Sequence, residues 1–319
     1  MAQSLKRSLV SIFKTAYDAL LHTPVKKIPG MRWLSRSVFR AIWGTQHIMD
    51  IQGSKMVIDL DHPNPALQQT FQAYAMRQIH EETTTALFKK FIKPGDVVLD
   101  LGANIGYFSL LSSRLTGPTG KVFSFEPEPN NFKYLTENLK LNGYTHAYPF
   151  NMAVSNENGT ISLFVCEYDS GHHTIRNEKG ISSYKEGGAS KEIKIEAVKL
   201  DQFLKDKTDR VDFIKMDVEG AEALALEGMK ELLKKNADVT VIMEFFPYFI
   251  SAMGSSPEKM VSMILDELGF NMFIIGHDYS MEHSDKNFVQ VSSYKELNSY
   301  IVETMDHVNL ILSRKKTIS

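Results

Sequence analysis

From residue 96 onward, the sequence alternates between short apolar runs typical of buried strands and longer runs with helical periodicity. VVLDLG is followed by IGYFSLLSSRL, KVFSFEP by PNNFKYLTENLKLNG, and VDFIKMD by VEGAEALALEGMKELLKK. Parallel strands need crossover connections, which are usually helices that cover both faces of the sheet. The alternation therefore predicts an α/β fold built around a mostly parallel sheet.

Two regions depart from this alternation. Between about residues 158 and 200, GTISLFVCEY and EIKIEAVKL alternate like exposed strands on either side of a polar loop, which predicts an antiparallel insertion. Residues 1–80 are predicted to form an N-terminal helical and hairpin extension to a main domain at 81–319. In this extension we expect a hairpin turning at Gly53-Ser54 and a long helix from Pro65 that ends before Pro94-Gly95.

The N-terminal segment is strongly basic. Residues 1–49 hold eight Lys and Arg residues against one acid, Asp18, giving +7 in a chain whose formal net charge is only -2. Its apolar residues recur at helical spacing, so this amphipathic helix is predicted either to lie on an anionic membrane surface or to pack on its own protein.

The sequence predicts a cytoplasmic protein, which would be peripheral to a membrane if the basic helix lies on an anionic surface. The most apolar stretch, VTVIMEFFPYFISAM, is interrupted by Glu244 and Pro247 and is too short for a membrane span, which needs roughly 20 residues. No secretory signal pattern is evident at the N-terminus. The single cysteine, Cys166, excludes an internal disulfide and favours a reducing compartment.

A glycine turn follows the first strand of the alternating region, with the spacing Asp100-x-Gly102-x-Asn104-x-Gly106. Ligands of open parallel sheets bind beyond the carboxyl ends of the strands, where the strand order reverses. Glycines let the backbone approach a ligand closely, and the next helix directs its free N–H groups there. The spacing differs from the dinucleotide fingerprint and from a P-loop, which disfavours an NAD-dependent oxidoreductase.

Glu126 ends the next strand, 24 residues after Gly102. An acidic side chain at this place can accept hydrogen bonds from both hydroxyls of a ribose, although Glu126 could also merely precede a turn. The ligand is therefore predicted to contain a nucleoside. S-adenosylmethionine fits, since it has a ribose and an adenine, no phosphate, and a charged amino-acid end that a turn with Asp100 could receive.

Several motifs now appear in consistent order between residues 93 and 246: DLGANIGYFS, FSFEPEPNNFKYLTENLKLN, NMAVS, VDFIKMDVEGAEALALEGM and VIMEF. In these motifs the chain resembles the FkbM family of S-adenosylmethionine-dependent methyltransferases. The resemblance implies a Rossmann-like class I methyltransferase fold with a seven-stranded sheet whose last strand is antiparallel. It also implies O-methylation of a hydroxyl group on a sugar, glycan or secondary metabolite.

The resemblance assigns roles by position in the motifs. It implies that the glycine turn surrounds the methionine moiety, that Glu126 binds the ribose, and that two residues after the third strand contact the adenine. Asp217, at the end of the strand beside the first, would face the sulfonium. The cofactor residues are thus Asp100, Gly102, Asn104, Gly106, Glu126, Met152 and Ala153.

Methyl transfer to a hydroxyl needs alignment of the acceptor oxygen and, in many cases, a base. The candidate catalytic residues are Asp217, Glu219, His172 and His173, although histidines in a polar loop are often plain surface. Alternatively, a divalent cation bound by Asp217, Glu219 and Glu244 could lower the pKa of the acceptor. Glu222 serves either the site or only the first turn of its helix.

Other functions stay open at this point. A non-catalytic nucleoside-binding or scaffold protein could use the same fold, and a membrane-bound N-terminus would favour a lipid-linked acceptor. Nucleic acid is disfavoured as a partner because the rest of the chain carries about -9, whereas phosphate binding requires a basic surface. The acceptor is expected to be selected by the loop 167–190, the N-terminal region and the residues after Pro247.

Overall fold

The computed structural model describes residues 46–77, 79–166, 190–276, 288–301 and 307–318. The basic amphipathic helix predicted near the N-terminus and the candidate bases His172 and His173 lie outside the described residues. Among the helices that are described, none is both long enough and apolar enough to cross a membrane.

The described elements, in chain order, are the following. The first part contains β1 (Gln46–Ile51), β2 (Ser54–Asp59), α1 (Pro65–Arg77), α2 (Glu82–Phe91), β3 (Val97–Leu101), α3 (Tyr107–Thr116), β4 (Lys121–Phe125), α4 (Pro129–Leu141) and β5 (Ala147–Phe150). The insertion region contains β6 (Ala153–Val154), β7 (Gly159–Cys166), β8 (Ser190–Val198) and α5 (Leu200–Phe203). The last part contains β9 (Phe213–Met216), α6 (Glu222–Gly228), α7 (Lys230–Lys235), β10 (Thr240–Phe245), α8 (Pro247–Ala252), α9 (Pro257–Ser262) with a π-helical turn (Met263–Glu267), β11 (Asn271–Gly276), β12 (Val289–Val291), α10 (Tyr294–Asn298) and β13 (Val308–Ser313).

The main sheet confirms the predicted class I architecture. Its strand order is β12-β11-β13-β10-β9-β3-β4-β5, and the pairs from β10 to β5 are parallel. The last strand, β13, lies antiparallel between β10 and β11, as expected for a seven-stranded sheet. The short strand β12 adds an eighth strand at the edge. Because the chain leaves β3 toward β4 and later returns to β9 on its other side, the strand order reverses between β3 and β9, where a ligand site is expected.

The two faces of the sheet are covered by different parts of the chain. Leu99 and Leu101 of β3 belong to a core formed with the helices that follow the insertion. Val98, which points to the opposite face, belongs to a core that includes Phe71 of α1, Phe88 of α2 and residues of the β1–β2 hairpin. The described part of the predicted extension therefore packs directly on the sheet.

The predicted long helix is wrong as a single element, because the chain forms two helices there, α1 and α2, separated by residues 78–81. Glu81 adopts a left-handed backbone conformation with φ 45°, which a continuous helix excludes. The sequence shows no Pro or Gly at this break. The break accompanies an inward-facing carboxylate: Glu81 pairs with His80 at 3.2 Å and acts electrostatically on the buried Lys215.

The antiparallel pairs agree with the alternation patterns. β1 and β2 form the predicted hairpin, but it turns at Gln52-Gly53, one residue earlier than expected, and both residues have positive φ. That combination is typical of a tight two-residue hairpin turn. β7 pairs antiparallel with β8 from Gly159 opposite Ala197 to Cys166 opposite Ser190, and β6 joins β8 as a parallel third strand.

Candidate functional site

The glycine turn after β3 is fixed by close backbone packing. Gly102 has φ 82°, and a Cβ atom at this position would lie 1.8 Å from the carbonyl oxygen of Asp217. Gly106 precedes α3 with φ 101°, and a Cβ atom there would lie 2.9 Å from Leu135 Cδ1 on α4. The two glycines therefore bring β9 and α4 against the turn, which shapes the ligand site at the reversal point.

Glu126 holds the turn to the end of β4. Its Oε2 accepts a hydrogen bond from the backbone N–H of Asn104 at 2.7 Å, and its Oε1 accepts one from the N–H of Glu128 at 2.9 Å. The side chain is buried, and burial raises its pKa to about 8 despite these two donors. The carboxyl is thus already positioned before a ligand binds.

One pocket brings together most of the residues predicted for the cofactor and two predicted for catalysis. Its walls include Gly102, Asn104, Glu126, Met152, Ala153, Asp217 and Glu219. These residues come from four separate parts of the sequence and meet at the carboxyl ends of β3, β4 and β9. Their convergence at the strand-order reversal identifies this pocket as the candidate ligand site.

The inserted strand β7 adds a residue that the sequence analysis missed. Leu163 is buried and lines the same pocket as Met152 and Ala153. These three side chains give one end of the pocket an apolar wall suited to the flat face of an adenine. The period-2 pattern of β7 shows that Leu163 faces inward, but pairing across distant segments is needed to place it at the pocket.

Two residues predicted to bind the cofactor, Asp100 and Gly106, do not line the described pocket. Asp100 is fully buried and accepts a hydrogen bond from the Ser109 hydroxyl at 2.5 Å, while Gly106 packs against α4. Asp100 does not line the described pocket, so its predicted role toward the cofactor stays a prediction. As residue 100 lies within β3, its side chain points under α3, whereas the turn that follows the strand forms the wall.

Three carboxylates predicted as metal candidates meet beside the pocket. Asp217, Glu219 and Glu244 each offer an oxygen atom, and these oxygens lie within 4.8 Å of one another. We call these residues the acidic triad. Glu219 has a left-handed backbone (φ 51°), which turns its side chain back toward Asp217. Since like charges this close repel, the acidic triad favours a proton, a cation or hydroxyl donors between its members.

The groups around the acidic triad tune its charge. Burial, with the nearby charges of Asp217, Glu222 and Glu81, raises the pKa of Glu244 well above its usual value. His307 lies 3.1 Å from Glu244 through Nε2. Glu222 accepts hydrogen bonds from the backbone N–H groups of Val218 and Gly220, so it closes the turn at the start of α6 as well as adding charge, and burial raises its pKa to about 7.

The sequence analysis missed three ionisable residues of this region: Glu81, Lys215 and His307. Lys215 carries the clearest signal, since a lysine within the apolar run VDFIKMD must be either paired or at an edge. The sequence gives no such signal for the other two. The role of Glu81 depends on a helix break, and that of His307 depends on the placement of the last strand.

Comparison with known proteins identifies relatives that are named methyltransferases. The profile of a family described as "Methyltransferase FkbM domain" matches residues 100–272, more than half of the chain. A protein named methyltransferase sdnD from Sordaria araneosa is 32% identical over 158 residues, covering 42% of this chain and 60% of that protein. The 2-O-methyltransferase NoeI of Sinorhizobium fredii is 30% identical over 151 residues, covering 45% and 61%. The hexuronic acid methyltransferase AglP of Haloferax volcanii is 27% identical over 156 residues, covering 48% and 58%. The chain thus spans about 60% of the length of these curated relatives.

Proposed function

The chain belongs to the FkbM methyltransferase family, and on this premise we propose that it transfers a methyl group from S-adenosylmethionine to a hydroxyl group of a sugar or glycan. One observation carries the proposal. Asp217 and Glu219 belong both to the described pocket and to the acidic triad. A donor bound in this pocket would therefore lie beside carboxylates that can bind and deprotonate a hydroxyl.

The pocket fits the donor residue by residue. Glu126 offers two carboxylate oxygens to the ribose hydroxyls, and Leu163, Met152 and Ala153 offer apolar contact to the adenine. Gly102 lines the pocket with its backbone, which can lie against the amino-acid end. Bound S-adenosylmethionine would supply the electrophilic methyl group.

The chain's own contribution to the reaction is alignment and proton removal. Transfer from a sulfonium is an in-line displacement at carbon, so the acceptor oxygen must lie opposite the sulfur. Carboxylates of the acidic triad accept hydrogen bonds from sugar hydroxyls and can hold that oxygen in line. Glu244, whose pKa is raised well above its usual value, and its partner His307 are the groups best suited to take the hydroxyl proton.

The acceptor class rests on the relatives. One matched protein is named for 2-O-methylation and another for a hexuronic acid, and both align with this chain over about 150 residues. A sugar presents several hydroxyls to a carboxylate cluster at once, which suits the acidic triad better than a single alcohol would. A hydroxyl on a secondary metabolite is the alternative acceptor, and the same assay tests it.

The test is methyl transfer with labelled S-adenosylmethionine and a panel of mono- and oligosaccharides that includes hexuronic acids. We expect label in an alkali-stable ether product with the wild-type protein. We expect a loss of at least about 100-fold in rate for Asp217→Asn, since it removes a carboxylate that aligns the acceptor, and misplacing a reacting group typically costs this much. The exposed Glu157→Gln variant is the matched control and should retain full rate. Failure of the folded wild-type protein to bind S-adenosylhomocysteine would overturn the proposal.

A further inference from the structure

Lys215 places an ammonium group inside the protein, beside the acidic triad. The residue lies on β9 and is 5% exposed. Its Nζ lies 2.8 Å from Asp217 Oδ2 and 4.9 Å from the centroid of the Phe108 ring. Because a buried charge is costly unless it is paired, this position requires anionic partners.

Asp100 is the first neighbour, but it supplies little counter-charge. It lies directly opposite Lys215 in the parallel register of β3 and β9, so the two side chains share one face of the sheet. Burial raises the pKa of Asp100, and the ammonium of Lys215 and the hydroxyl of Ser109 offset this only in part. Its Oδ1 has no hydrogen-bond partner among the described residues. Asp100 is therefore a weaker counter-charge for Lys215 than Asp217 or Glu81.

Glu81 is the permanent counter-charge. It lies at the break between α1 and α2, where its left-handed backbone turns the side chain inward, and only 12% of that side chain is exposed. Burial alone would raise its pKa, but the charge of Lys215 and the contact with His80 bring the pKa down to about 2. Glu81 is thus ionised throughout the physiological range.

Asp217 is the one of these three carboxylates that lines the described pocket. Its side chain is 33% exposed, and the other groups facing it, Glu219, Glu222 and Glu244, are acidic. Without Lys215, this carboxylate would sit among like charges only. The ammonium therefore offsets the repulsion and fixes the direction of the carboxylate.

We propose that Lys215 is a positioning residue that anchors the Asp217 carboxylate at the pocket wall, with Glu81 as its fixed counter-charge. The proposal rests on the proposed function in that the pocket holds the donor, whose positively charged methionine moiety Asp217 would face. It makes the segment before α2 part of the site's electrostatics through Glu81, a residue that does not line the pocket.

The test compares the wild-type protein with the double variant Lys215→Met/Glu81→Gln, which removes one positive and one negative charge together. Dissociation constants for S-adenosylhomocysteine are measured by calorimetry from pH 6 to 8.5, with thermal unfolding as the check on folding. We expect the double variant to bind about tenfold more weakly at pH 7.5. The loss should persist across the pH range, because it arises from the misplaced Asp217 carboxylate.

A cycle with Asp217→Asn separates positioning from general stabilisation. If Lys215 acts through Asp217, adding Asp217→Asn to the double variant weakens binding no more than Asp217→Asn does alone. Additive losses, or a double variant that binds within twofold of the wild type at every pH, would overturn the proposal. A wild-type protein that fails to bind would instead count against the proposed function.

The single variant Glu81→Gln keeps the test decisive should the double variant not fold. It leaves Lys215 paired with Asp217, so we expect affinity within threefold of the wild type together with lower thermal stability. A tenfold or greater loss of affinity at unchanged stability would make Glu81 a binding residue and would overturn its assignment as a counter-charge.

Discussion

The two ends of the pocket are built on opposite physical principles. At the ribose end, both oxygens of Glu126 already accept backbone hydrogen bonds, from Asn104 and Glu128, so its geometry is set by the fold. At the other end, the acidic triad brings carboxylate oxygens within 4.8 Å of one another. The first end is preorganised by satisfied hydrogen bonds, whereas the second stores repulsion that a ligand can relieve. We call the part around Glu126 the ribose end, after the group that Glu126 is proposed to bind, and the part formed by the acidic triad the acidic end.

The two ends should therefore determine different properties of the site: the ribose end the binding of the donor, and the acidic end the handling of the acceptor. Satisfied hydrogen bonds give tight, specific binding of one common donor, so the ribose end should tolerate little change. Stored repulsion leaves protonation and orientation adjustable, as an acceptor site requires. Of the four left-handed non-glycine residues in the described part of the chain, Gln52 lies in the hairpin turn, whereas Glu81, Asn104 and Glu219 lie at this edge of the sheet or act on it electrostatically, consistent with strain concentrated at a functional site.

The largest effect is expected from Gly102→Ala, because the new Cβ atom would overlap the Asp217 carbonyl oxygen and the residue has positive φ. The clash would separate β3 from β9 at the point where both ends of the pocket meet. We expect a loss of at least about 3 kcal/mol in the free energy of unfolding, measured by chemical denaturation.

Gly143→Ala is the matched control for this clash. Gly143 also has positive φ, 66°, but nothing lies within 4 Å of its Cβ position. It should lose only about 1 kcal/mol, the cost of placing alanine in a left-handed conformation. Equal losses for both variants would show that backbone conformation, and not the contact with Asp217, determines the need for glycine at 102.

At the ribose end, Glu126→Gln should weaken S-adenosylhomocysteine binding at least tenfold at pH 8, a loss of about 1.4 kcal/mol. The amide keeps the size of the side chain but lacks the second acceptor oxygen that a diol requires. Calorimetry measures the loss, and Glu157→Gln, on the surface, should bind normally. Unchanged affinity would remove the ribose assignment.

The same carboxyl predicts a specific pH dependence. Its folded pKa, about 8, is raised above the ordinary value of 4.5, so the stability it contributes is present below pH 4.5 and is lost as pH rises through 8. Ribose hydroxyls donate to the ionised form, so binding should release a proton and strengthen as pH rises from 6 to 8. Calorimetry in buffers of different ionisation enthalpy detects that proton, and Glu126→Gln should not release it.

The ribose end could be predicted from the sequence, but the acidic end could be predicted only in part. Gly102, Asn104 and Glu126 lie immediately after predicted strands, and the topology of parallel sheets brings such positions together. Asp217, Glu219 and Glu244 follow the same rule and were predicted as a group. Asp100 does not follow this rule: it lies one residue inside its strand, and its side chain contacts Ser109 of α3 and does not line the pocket.

The rest depended on contacts that no local pattern encodes. Glu81 acts electrostatically on Lys215 only because the predicted helix breaks at a site without Pro or Gly. His307 meets Glu244 only through the pairing of β13 with β10. Leu163 required the placement of an inserted strand against the pocket. In each case the position of the residue depends on tertiary packing, which the hydrophobic periodicity of the sequence does not specify.

At the acidic end, Glu244→Gln should raise the free energy of unfolding at pH 8 by about 1 kcal/mol, since it removes one of several mutually repelling carboxylates. The raised pKa of Glu244 means that the wild-type protein loses stability as pH rises through that pKa, so the gain should shrink toward pH 5. Thermal unfolding across this range measures it. A variant less stable than the wild type at pH 8 would show that the His307 contact outweighs the repulsion.

Thermal unfolding in the presence of Mg²⁺ tests whether a cation binds at the acidic end. A cation held by the acidic triad would raise the Tm of the wild-type protein increasingly as its concentration rises above the dissociation constant, and would leave the Tm of Glu244→Gln unchanged. A rise shared by both proteins would indicate binding elsewhere. No rise in either would leave protons and hydroxyl donors as the groups that relieve the repulsion.

The smallest effect is expected at the adenine wall, where Leu163→Ala should weaken S-adenosylhomocysteine binding about three- to tenfold by removing apolar contact area. Its matched control is Val165→Ala, because Val165 lies two residues along the same strand, on the same face and in the same buried cluster, but does not line the pocket. Both variants lose core packing and should lower the Tm, so stability alone cannot separate them. Affinity can: a loss confined to Leu163→Ala assigns the inserted strand to the donor site, whereas equal losses would mean that β7 affects binding only by supporting the sheet it belongs to.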